Sequence, residues 1–244
     1  MDQVKSKKLK VILLTGCIQP AGMQYTSLQD ASLRKLQYVA AINFYLTNTD
    51  CHIVFVENSG FDISPDFAHA AERERLEILT FKGNDFNMDL GKGYGEMLIL
   101  NYAIKHARFL AESIFICKIT GRYKILNIKK LLDFYLEEKP DLMVLLTQRL
   151  NYSDSRLFFA TASFFKEILF KYKPVVDDSK GIYFEHALSK AVLEAINAGY
   201  TYLPFKYKVR LSGQSGTDGS FYQDGFLSWY PRNLLHMLKF RLGK

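Results

Sequence analysis

Short apolar runs recur along the chain, and each ends where small or turn-forming residues begin. Residues 10–15 (KVILLT) form the first run, which ends at Gly16, and residues 52–56 (HIVFV) form the second. Brief continuous apolar runs between turn residues are typical of strands that are buried on both faces. The same pattern predicts three further strands, at residues 76–81, 113–119 and 141–146.

The stretches between these runs have the periodicity of amphipathic helices, which are predicted at residues 30–46, 95–110 and 128–136. Strands that alternate with helices at this spacing indicate βαβ units. The prediction is therefore an α/β protein with a Rossmann-like, mostly parallel sheet flanked by helices. Such sheets bind ligands where their strands end, so the loops after residues 15, 56, 81 and 119 are the candidate positions.

Composition narrows the class of protein. The chain has 244 residues, of which 48% are hydrophobic and 23% charged, so it is neither intrinsically disordered nor collagen-like. Three scattered cysteines without CxxC spacing predict buried thiols in a reducing compartment. The start is polar and lysine-rich, and no apolar stretch approaches the ~20 residues that a bilayer span needs. A cytoplasmic location is predicted, with peripheral attachment to the inner membrane as an option.

The net charge of +7 is concentrated at the two ends of the chain. Residues 1–10 carry +3 and residues 200–244 carry +5, which leaves the middle of the chain close to neutral. A nucleic-acid binder more often carries its basic residues on a central stripe or helix. The distribution favours an anionic surface that is met at the edges of the protein, and no nucleic-acid partner is predicted.

The ends of the first two strands supply candidate ligand-binding residues. Thr15 and Gly16 open the first loop, and Glu57, Asn58 and Ser59 follow the second strand. A carboxylate and an amide at a strand end can hydrogen-bond a nucleobase or a ribose. The alternative is a simple Asx turn, and the sequence leaves both interpretations open.

A glycine-rich helix start, GKGYG, contains Lys92, Gly93 and Gly95. Free backbone amides beside a cation can bind a phosphate, although the spacing fits neither the dinucleotide fingerprint nor the P-loop. The alternative is a purely structural helix start.

The strand at residues 113–119 runs into a second group of candidates, Lys118, Thr120, Gly121 and Arg122. A lysine inside an apolar strand is costly unless its ammonium group reaches water or a partner. An anionic ligand would supply that partner. The alternatives are that Lys118 extends to solvent or pairs with a carboxylate.

This order of parts resembles the GT-A nucleotide-sugar glycosyltransferases, especially those of bacterial capsule and lipopolysaccharide synthesis. In that group the segment corresponding to SIFICKITGRY usually ends in an Asp-x-Asp motif that holds a divalent metal on the donor diphosphate. This chain has no acid there, so the resemblance implies transfer without a metal or other cofactor. Lys118 and Arg122 would then stabilise the leaving diphosphate.

The resemblance also extends to residues 177–200, where many inverting GT-A enzymes carry an acid at a helix start. Glu185 takes the position of the catalytic base, with His186 beside it. An inverting displacement needs such a base within ~3 Å of the acceptor hydroxyl. The alternatives are a helix-start acid favoured by the dipole and a packing histidine. Asp177 and Asp178 are interpreted as turn or capping acids.

The loop at residues 207–222 is rich in glycine and small hydroxyl residues. GT-A enzymes often close such a loop over the donor, which implies that Lys208, Arg210 or Ser215 contacts the diphosphate. The alternative is a surface loop without a ligand.

The last segment, residues 226–244, is basic, aromatic and amphipathic, and it is predicted to be separate from a glycosyltransferase domain at residues 1–225. This composition favours attachment to an anionic membrane surface. The alternative is a terminal helix packed on the domain.

The leading hypothesis is therefore an inverting glycosyltransferase of surface-polysaccharide synthesis. Its donor would be a nucleotide-diphosphate sugar, with a UDP-sugar as the first candidate, and its acceptor a glycan that is lipid-linked. The main alternative is a nucleotide- or glycan-binding protein without transferase activity.

Overall fold

The computed structural model describes residues 8–20, 26–67, 74–147, 149–216 and 218–242. Most of the basic start of the chain lies outside these residues. The described helices are α1 (Ala31–Asn48), α2 (Gly91–His106), α3 (Arg108–Ala111), α4 (Ile128–Glu138), α5 (Phe184–Asn197) and α6 (Phe226–Leu242). The described strands are β1 (Leu9–Gly16), β2 (His52–Glu57), β3 (Leu76–Thr80), β4 (Ser113–Thr120), β5 (Lys124–Ile125), β6 (Leu142–Leu146), β7 (Ser153–Ala160), β8 (Tyr202–Leu203), β9 (Leu211–Gln214) and β10 (Phe221–Gln223).

Seven strands form the central sheet in the order β3-β2-β1-β4-β7-β6-β8. The strands β1 to β4 are parallel, whereas β7 is antiparallel to both of its neighbours. The predicted α/β fold with a mostly parallel sheet is thereby confirmed. All five predicted strands are present, but the apolar pattern does not indicate β7. A smaller antiparallel sheet, β10-β9-β5, lies at the carboxyl side of β4.

Two apolar cores cover the two faces of the sheet. The first joins α1 and α4 to the sheet, and the second joins α2 and α5 to its other face. Central positions such as Val11, Ile12, Val54 and Phe55 are completely buried, because each strand is covered on both faces. This arrangement explains why the strands are continuous apolar runs rather than alternating ones.

The predicted helix at residues 95–110 differs from the structure at both ends. It begins earlier, at Gly91, and it is broken at Ala107, whose backbone is extended at φ −78° and ψ 119°. The short helix α3 then starts at Arg108, where two backbone amides donate to the Glu77 carboxylate at 2.9 and 3.0 Å. Apolar periodicity continues across the break and does not reveal it.

The last helix packs on the domain through one of its faces. Trp229 and Asn233 are buried, and the Trp229 indole donates to the Lys208 carbonyl at 3.0 Å. Further along, Phe240 meets the ring of Phe134 edge-on, with centroids 5.6 Å apart. None of the helices in the described part of the chain combines the length and the apolar composition that a membrane-spanning helix needs.

Candidate active site

A cavity of about 710 Å³ opens at the carboxyl edge of the sheet. It lies at the ends of β1 and β4, between which the strand order changes direction. This is the position where open α/β sheets bind their ligands, because neighbouring loops diverge there. Its walls come from the ends of β1, β4, β6 and β7, the first turns of α2 and α5, and the loop after β9.

Two glycines allow the strand ends to approach each other at the cavity floor. The Gly121 amide donates to the Thr15 carbonyl at 2.9 Å, and a Cβ at position 121 would lie 2.6 Å from that oxygen. A Cβ at position 16 would lie 2.6 Å from the Phe55 ring. Of the four predicted donor-binding residues here, Thr15, Gly16 and Thr120 line the cavity, whereas Gly121 contributes a backbone contact.

The residues after β2 separate into two roles. Glu57 is completely buried, and its carboxylate accepts hydrogen bonds from the amides of Ile18 at 2.8 Å and Phe61 at 2.9 Å. Ser59 also donates to Glu57, so both residues organise the two loops and neither lines the cavity. Asn58 does line it, and its buried Oδ1 has no hydrogen-bond partner among the described residues.

The start of α2, where the sequence predicts a bound phosphate, faces a carboxylate of the same chain. A Cβ at Gly91 would lie 2.1 Å from Asp178 Oδ2, and a Cβ at Gly93 would lie 3.0 Å from Asp178 Oδ1. Burial raises the pKa of Asp178, while the backbone amide of Gly93 and the charge of Lys92 act against this rise. Lys92, Gly93 and Gly95 line the cavity, but the helix dipole acts first on Asp178.

Lys118 is completely buried and forms an ion pair with Glu96, at 2.6 Å from Nζ to Oε1. Its ammonium group also donates to the Ser155 carbonyl at 2.8 Å and to Thr120 Oγ1 at 3.4 Å. An ammonium group has three N–H donors, and each has a protein acceptor here. The alternative of pairing with a carboxylate therefore describes Lys118, which lines the cavity with its three donors directed at protein acceptors.

Sequence reasoning missed Glu96, which also accepts a hydrogen bond from Thr15 Oγ1 at 2.8 Å. The only signal for it was the lysine inside an apolar strand, for which a carboxylate of the chain was one of the possible partners. A partner 22 positions away on a helix has no local sequence mark.

Glu185 lies in the first turn of α5 and lines the cavity. Its Oε1 accepts a hydrogen bond from Ser155 Oγ at 2.6 Å. Burial raises the pKa of the neighbouring Tyr152 to about 12, and the charge of Glu185 adds to that rise. His186, by contrast, does not line the cavity, because its Nδ1 accepts from the Tyr183 amide at 3.1 Å and closes the start of the helix.

Arg122 is 6% exposed and lines the cavity beside the loop that follows β9. Its Nη1 donates to Gln37 Oε1 at 2.9 Å, and a Cβ at Gly216 would lie 2.4 Å from its Nη2. Ser215 lines the same part of the cavity. The loop thus reaches the cavity at Ser215 and Gly216, and its contact with a diphosphate stays a prediction.

Lys208 and Arg210 lie elsewhere. The Lys208 backbone bonds to α6, with its amide donating to Asn233 Oδ1 at 2.9 Å. Arg210 Nε donates to the Asp224 carbonyl at 2.8 Å, and the guanidinium lies over the Phe226 ring at 5.6 Å. Neither residue lines the cavity, because the segment before β9 that carries them packs against the last helix.

A further pair at the cavity was not predicted. Asp154 and Arg156 form a bidentate ion pair, with distances of 2.9 and 2.6 Å. The Arg156 guanidinium lies 5.2 Å from the centre of the Tyr222 ring, which also lines the cavity. These residues belong to β7 and β10, and their strands are not recognisable from the sequence pattern.

The described residues contain no group of three or more His, Cys, Asp or Glu residues that could hold a metal ion. The end of β4 presents Thr120, Gly121 and Arg122 instead of an acid pair, and two of the cavity carboxylates are already ion-paired, Glu96 with Lys118 and Asp154 with Arg156.

Solved structures share this architecture at low sequence identity. The inositol-1-phosphate CTP transferase from T. maritima matches with a TM-score of 0.50 and 10% identity, over 98% of both chains. Core-mannan synthase A from Aspergillus fumigatus, in its Mn/GDP form, matches with 0.47 and 9%, over 97% of this chain and 87% of that one. The galactosyltransferase LgtC, in complex with donor and acceptor sugar analogues, matches with 0.48 and 8%, over 80% and 73%.

No known family profile matches the chain, and no curated protein matches it. The structural neighbours are nucleotidyltransferases and nucleotide-sugar glycosyltransferases, and the predicted α/β fold with a Rossmann-like, mostly parallel sheet is confirmed. At these identities the likeness establishes the fold alone.

Proposed function

We propose that this protein is a glycosyltransferase that uses a nucleotide-diphosphate sugar. The observation that carries the proposal is that one cavity brings together two cations, Lys92 and Arg122, and the carboxylate of Glu185. Transfer from such a donor develops negative charge on the leaving diphosphate and releases a proton from the acceptor hydroxyl. The two cations can stabilise the charge on the diphosphate, and the Glu185 carboxylate can accept the proton.

The nucleotide of the donor would bind at the ends of β1 and β2. Asn58 Oδ1 is a buried acceptor without a partner among the described residues, and a ribose hydroxyl or a base N–H group would satisfy it. The diphosphate would then lie between Lys92 and Arg122, with Ser215 from the loop after β9 beside it. A UDP-sugar remains the first candidate for the donor.

In the transfer step, the Glu185 carboxylate would accept the proton of the acceptor hydroxyl. The hydroxyl oxygen forms the new bond to the anomeric carbon while the bond to the diphosphate breaks, which inverts the configuration. Because the end of β4 presents no acid pair, the cations Lys92 and Arg122 would stabilise the departing diphosphate.

A ligand panel followed by a turnover assay tests this proposal. UDP, GDP and CDP are screened by thermal shift, and the matching sugar nucleotides are then assayed for release of nucleoside diphosphate with EDTA present. We expect one nucleotide to raise the melting temperature, and Arg122→Gln to abolish the rise. Arg108→Gln is the matched control, because Arg108 lies near the start of β4, at the other edge of the sheet.

Three outcomes would contradict parts of the proposal. Activity that EDTA removes and manganese restores would refute transfer without a metal. Binding of a nucleoside diphosphate without consumption of any donor would favour the binding-protein alternative. Stabilisation by CTP with release of pyrophosphate would indicate a nucleotidyltransferase instead.

We further propose that the acceptor is a lipid-linked glycan of surface-polysaccharide synthesis and that α6 holds the protein at an anionic membrane. At 100° per residue, the face opposite Trp229 and Asn233 consists of six apolar residues. These residues are Leu227, Pro231, Leu234, Leu235, Leu238 and Leu242. Leu227 and Leu242 are each 88% exposed.

Basic residues flank this leucine face, and α6 contains no acidic residue. Arg232 and Lys239 lie along one side and Arg241 along the other, which matches a helix that lies in the interface of an anionic bilayer. The proposal therefore joins membrane attachment and packing on the domain. One face of α6 packs on the domain, and the opposite face would contact lipid.

Vesicle sedimentation tests this attachment. We expect binding to phosphatidylcholine vesicles that contain phosphatidylglycerol, weaker binding to phosphatidylcholine alone, and loss of binding in Leu234→Glu/Leu238→Glu. The control Leu33→Glu/Leu36→Glu changes exposed leucines of α1, which are 41% and 65% exposed. Equal binding by both double variants would refute a role for the leucine face.

A further inference from the structure

Four elements meet at the cavity wall, and each contributes one residue to a single chain of contacts. Glu96 of α2 pairs with Lys118 of β4 at 2.6 Å, and Lys118 donates to the Ser155 carbonyl of β7 at 2.8 Å. Ser155 Oγ then donates to Glu185 of α5 at 2.6 Å. The buried ion pair is therefore connected to the carboxylate at the cavity wall through one serine.

Ser155 lies where the strand pairing of β7 is interrupted. The register with β4 extends only to the pair Ile119 and Leu157, and the register with β6 shifts between Val144 and Leu146. The Lys118 ammonium group thus binds the backbone of β7 beyond the last residue paired with β4. Without that bond, the position of the Ser155 hydroxyl would depend on an irregular stretch of strand.

Burying the Lys118 ammonium group costs free energy, which indicates that the ion pair has a function. Lys118 is completely buried, and an isolated buried charge is strongly unfavourable unless it is paired and hydrogen-bonded. All three of its donors are directed at protein acceptors. A well-packed apolar residue would fill the same strand position at lower cost, and it could not hold the Ser155 carbonyl.

We infer that the Glu96–Lys118 pair and Ser155 position the Glu185 carboxylate toward the cavity. This inference rests on the proposed function only in taking Glu185 as the base. Lys118 and Ser155 are positioning residues, since they act through Glu185. A single hydroxyl donor on Oε1 leaves Oε2 as the oxygen that would face the acceptor hydroxyl.

The surroundings of Glu185 contain other charged and titratable groups. Lys92 from α2, Asp178 from the turn before α5 and Tyr152 from the loop before β7 all interact with it electrostatically. Any pH-dependent readout for Ser155 has to be measured with these three residues intact.

Substitution of Ser155 tests the inference directly. In Ser155→Ala we expect kcat for release of nucleoside diphosphate to fall by about 10- to 100-fold, because a carboxylate displaced by ~1 Å loses its alignment. KM for the sugar nucleotide should stay within about twofold. The pH dependence of kcat should also differ from that of the wild type, because the base loses its hydrogen-bond donor. Ser155→Thr keeps the hydroxyl and should restore most of the rate.

Two further variants distinguish a positioning role from an unspecific disturbance of the structure. Thr201→Val removes a hydroxyl–carboxylate bond of 2.7 Å to Asp141, at the opposite edge of the sheet, and should leave kcat and the pH profile unchanged. Glu96→Gln/Lys118→Met replaces the ion pair by neutral side chains. Its effect should be non-additive with Ser155→Ala, as expected for residues that act through one contact.

A measurement without substrate separates this inference from the proposed function. The Glu185 carboxyl signal is followed by ¹³C NMR over a pH titration, and Glu185→Gln provides the assignment. If its titration shifts in Ser155→Ala but the wild type consumes no donor, the positioning holds and the proposed function fails. If the wild type consumes a donor and Ser155→Ala keeps its kcat, pH profile and titration, the positioning inference is overturned.

Discussion

Two helices begin at the cavity, and a carboxylate lies at the first turn of each, from a different part of the chain in the two cases. The start of α2 has three glycines and faces the carboxylate of Asp178, which comes from a turn 80 to 90 residues later in the chain. The start of α5 carries its own carboxylate, Glu185, and its own closing contact from His186. The sequence pattern predicts a bound phosphate at the start of α2, and the resemblance implies a catalytic base at the start of α5.

The difference shows that a helix start with free amides is a site only if the protein leaves it open. At α2 the Asp178 carboxylate lies directly in front of the glycines, so a phosphate at that helix start would have to share the space with an acidic side chain of the protein itself. At α5 the local contact is made by a histidine, and the carboxylate of Glu185 is left to face the cavity. Substitutions at the two helix starts test this difference between α2 and α5. The largest effect is expected at Glu185.

In Glu185→Gln, kcat should fall by about 10²- to 10⁴-fold, because the acceptor proton would have no base. Single-turnover release of nucleoside diphosphate measures the fall. Glu194→Gln is the control, since Glu194 lies in the same helix and bonds to Lys171 and Tyr172 instead. Equal rates for the two variants would remove Glu185 from the mechanism.

Gly91→Ala should destabilise the fold by about 3 kcal/mol, combining backbone strain at φ +76° with a Cβ that would lie 2.1 Å from Asp178. Urea unfolding measures the change. Gly181→Ala is a control with strain alone, since its φ is +69° and nothing lies within 4 Å of the added Cβ. It should cost only about 1 kcal/mol. Similar losses in both variants would mean that the contact with Asp178 has no energetic weight.

Asp178→Asn should change the pH dependence of stability. Because burial raises the pKa of Asp178 in the folded protein, the folded state holds this proton more tightly than the unfolded state. The wild type therefore loses stability as pH rises from below the usual carboxyl value through the raised one. The free energy of unfolding, measured from pH 3 upward, should decline less steeply in the variant. An unchanged slope would contradict the burial of a titrating Asp178.

His186→Ala should have the smallest effect, a loss of about 0.5–1 kcal/mol from the opened helix start. Thermal unfolding measures the loss, and kcat should stay within about twofold of the wild-type value. If turnover instead fell by two orders of magnitude while stability was unchanged, His186 would return to the catalytic role that the resemblance implies.

Much of the fold could be predicted from the sequence because its signals are local. Continuous apolar runs such as residues 52–56 specify strands that are covered on both faces, and glycines mark where these strands end. The cavity lies at the carboxyl edge of the sheet, where the sequence predicts ligand binding. Thr15, Asn58, Lys92, Arg122 and Glu185 all line it. Strand β7 was missed, since its charged first half does not form an apolar run.

Only the tertiary structure decided what each charged residue contacts. The sequence by itself determined that Lys118 needed an anionic or polar partner, since a buried ammonium group cannot remain alone. It could not select Glu96, Asp178 or Ser155 as the partners at the cavity, because pairing across 22 to 87 positions depends on how the sheet is ordered. Residue type and local pattern therefore determined where chemistry could occur. The packing of α2, β4, β7 and α5 decided which groups remain free to carry it out.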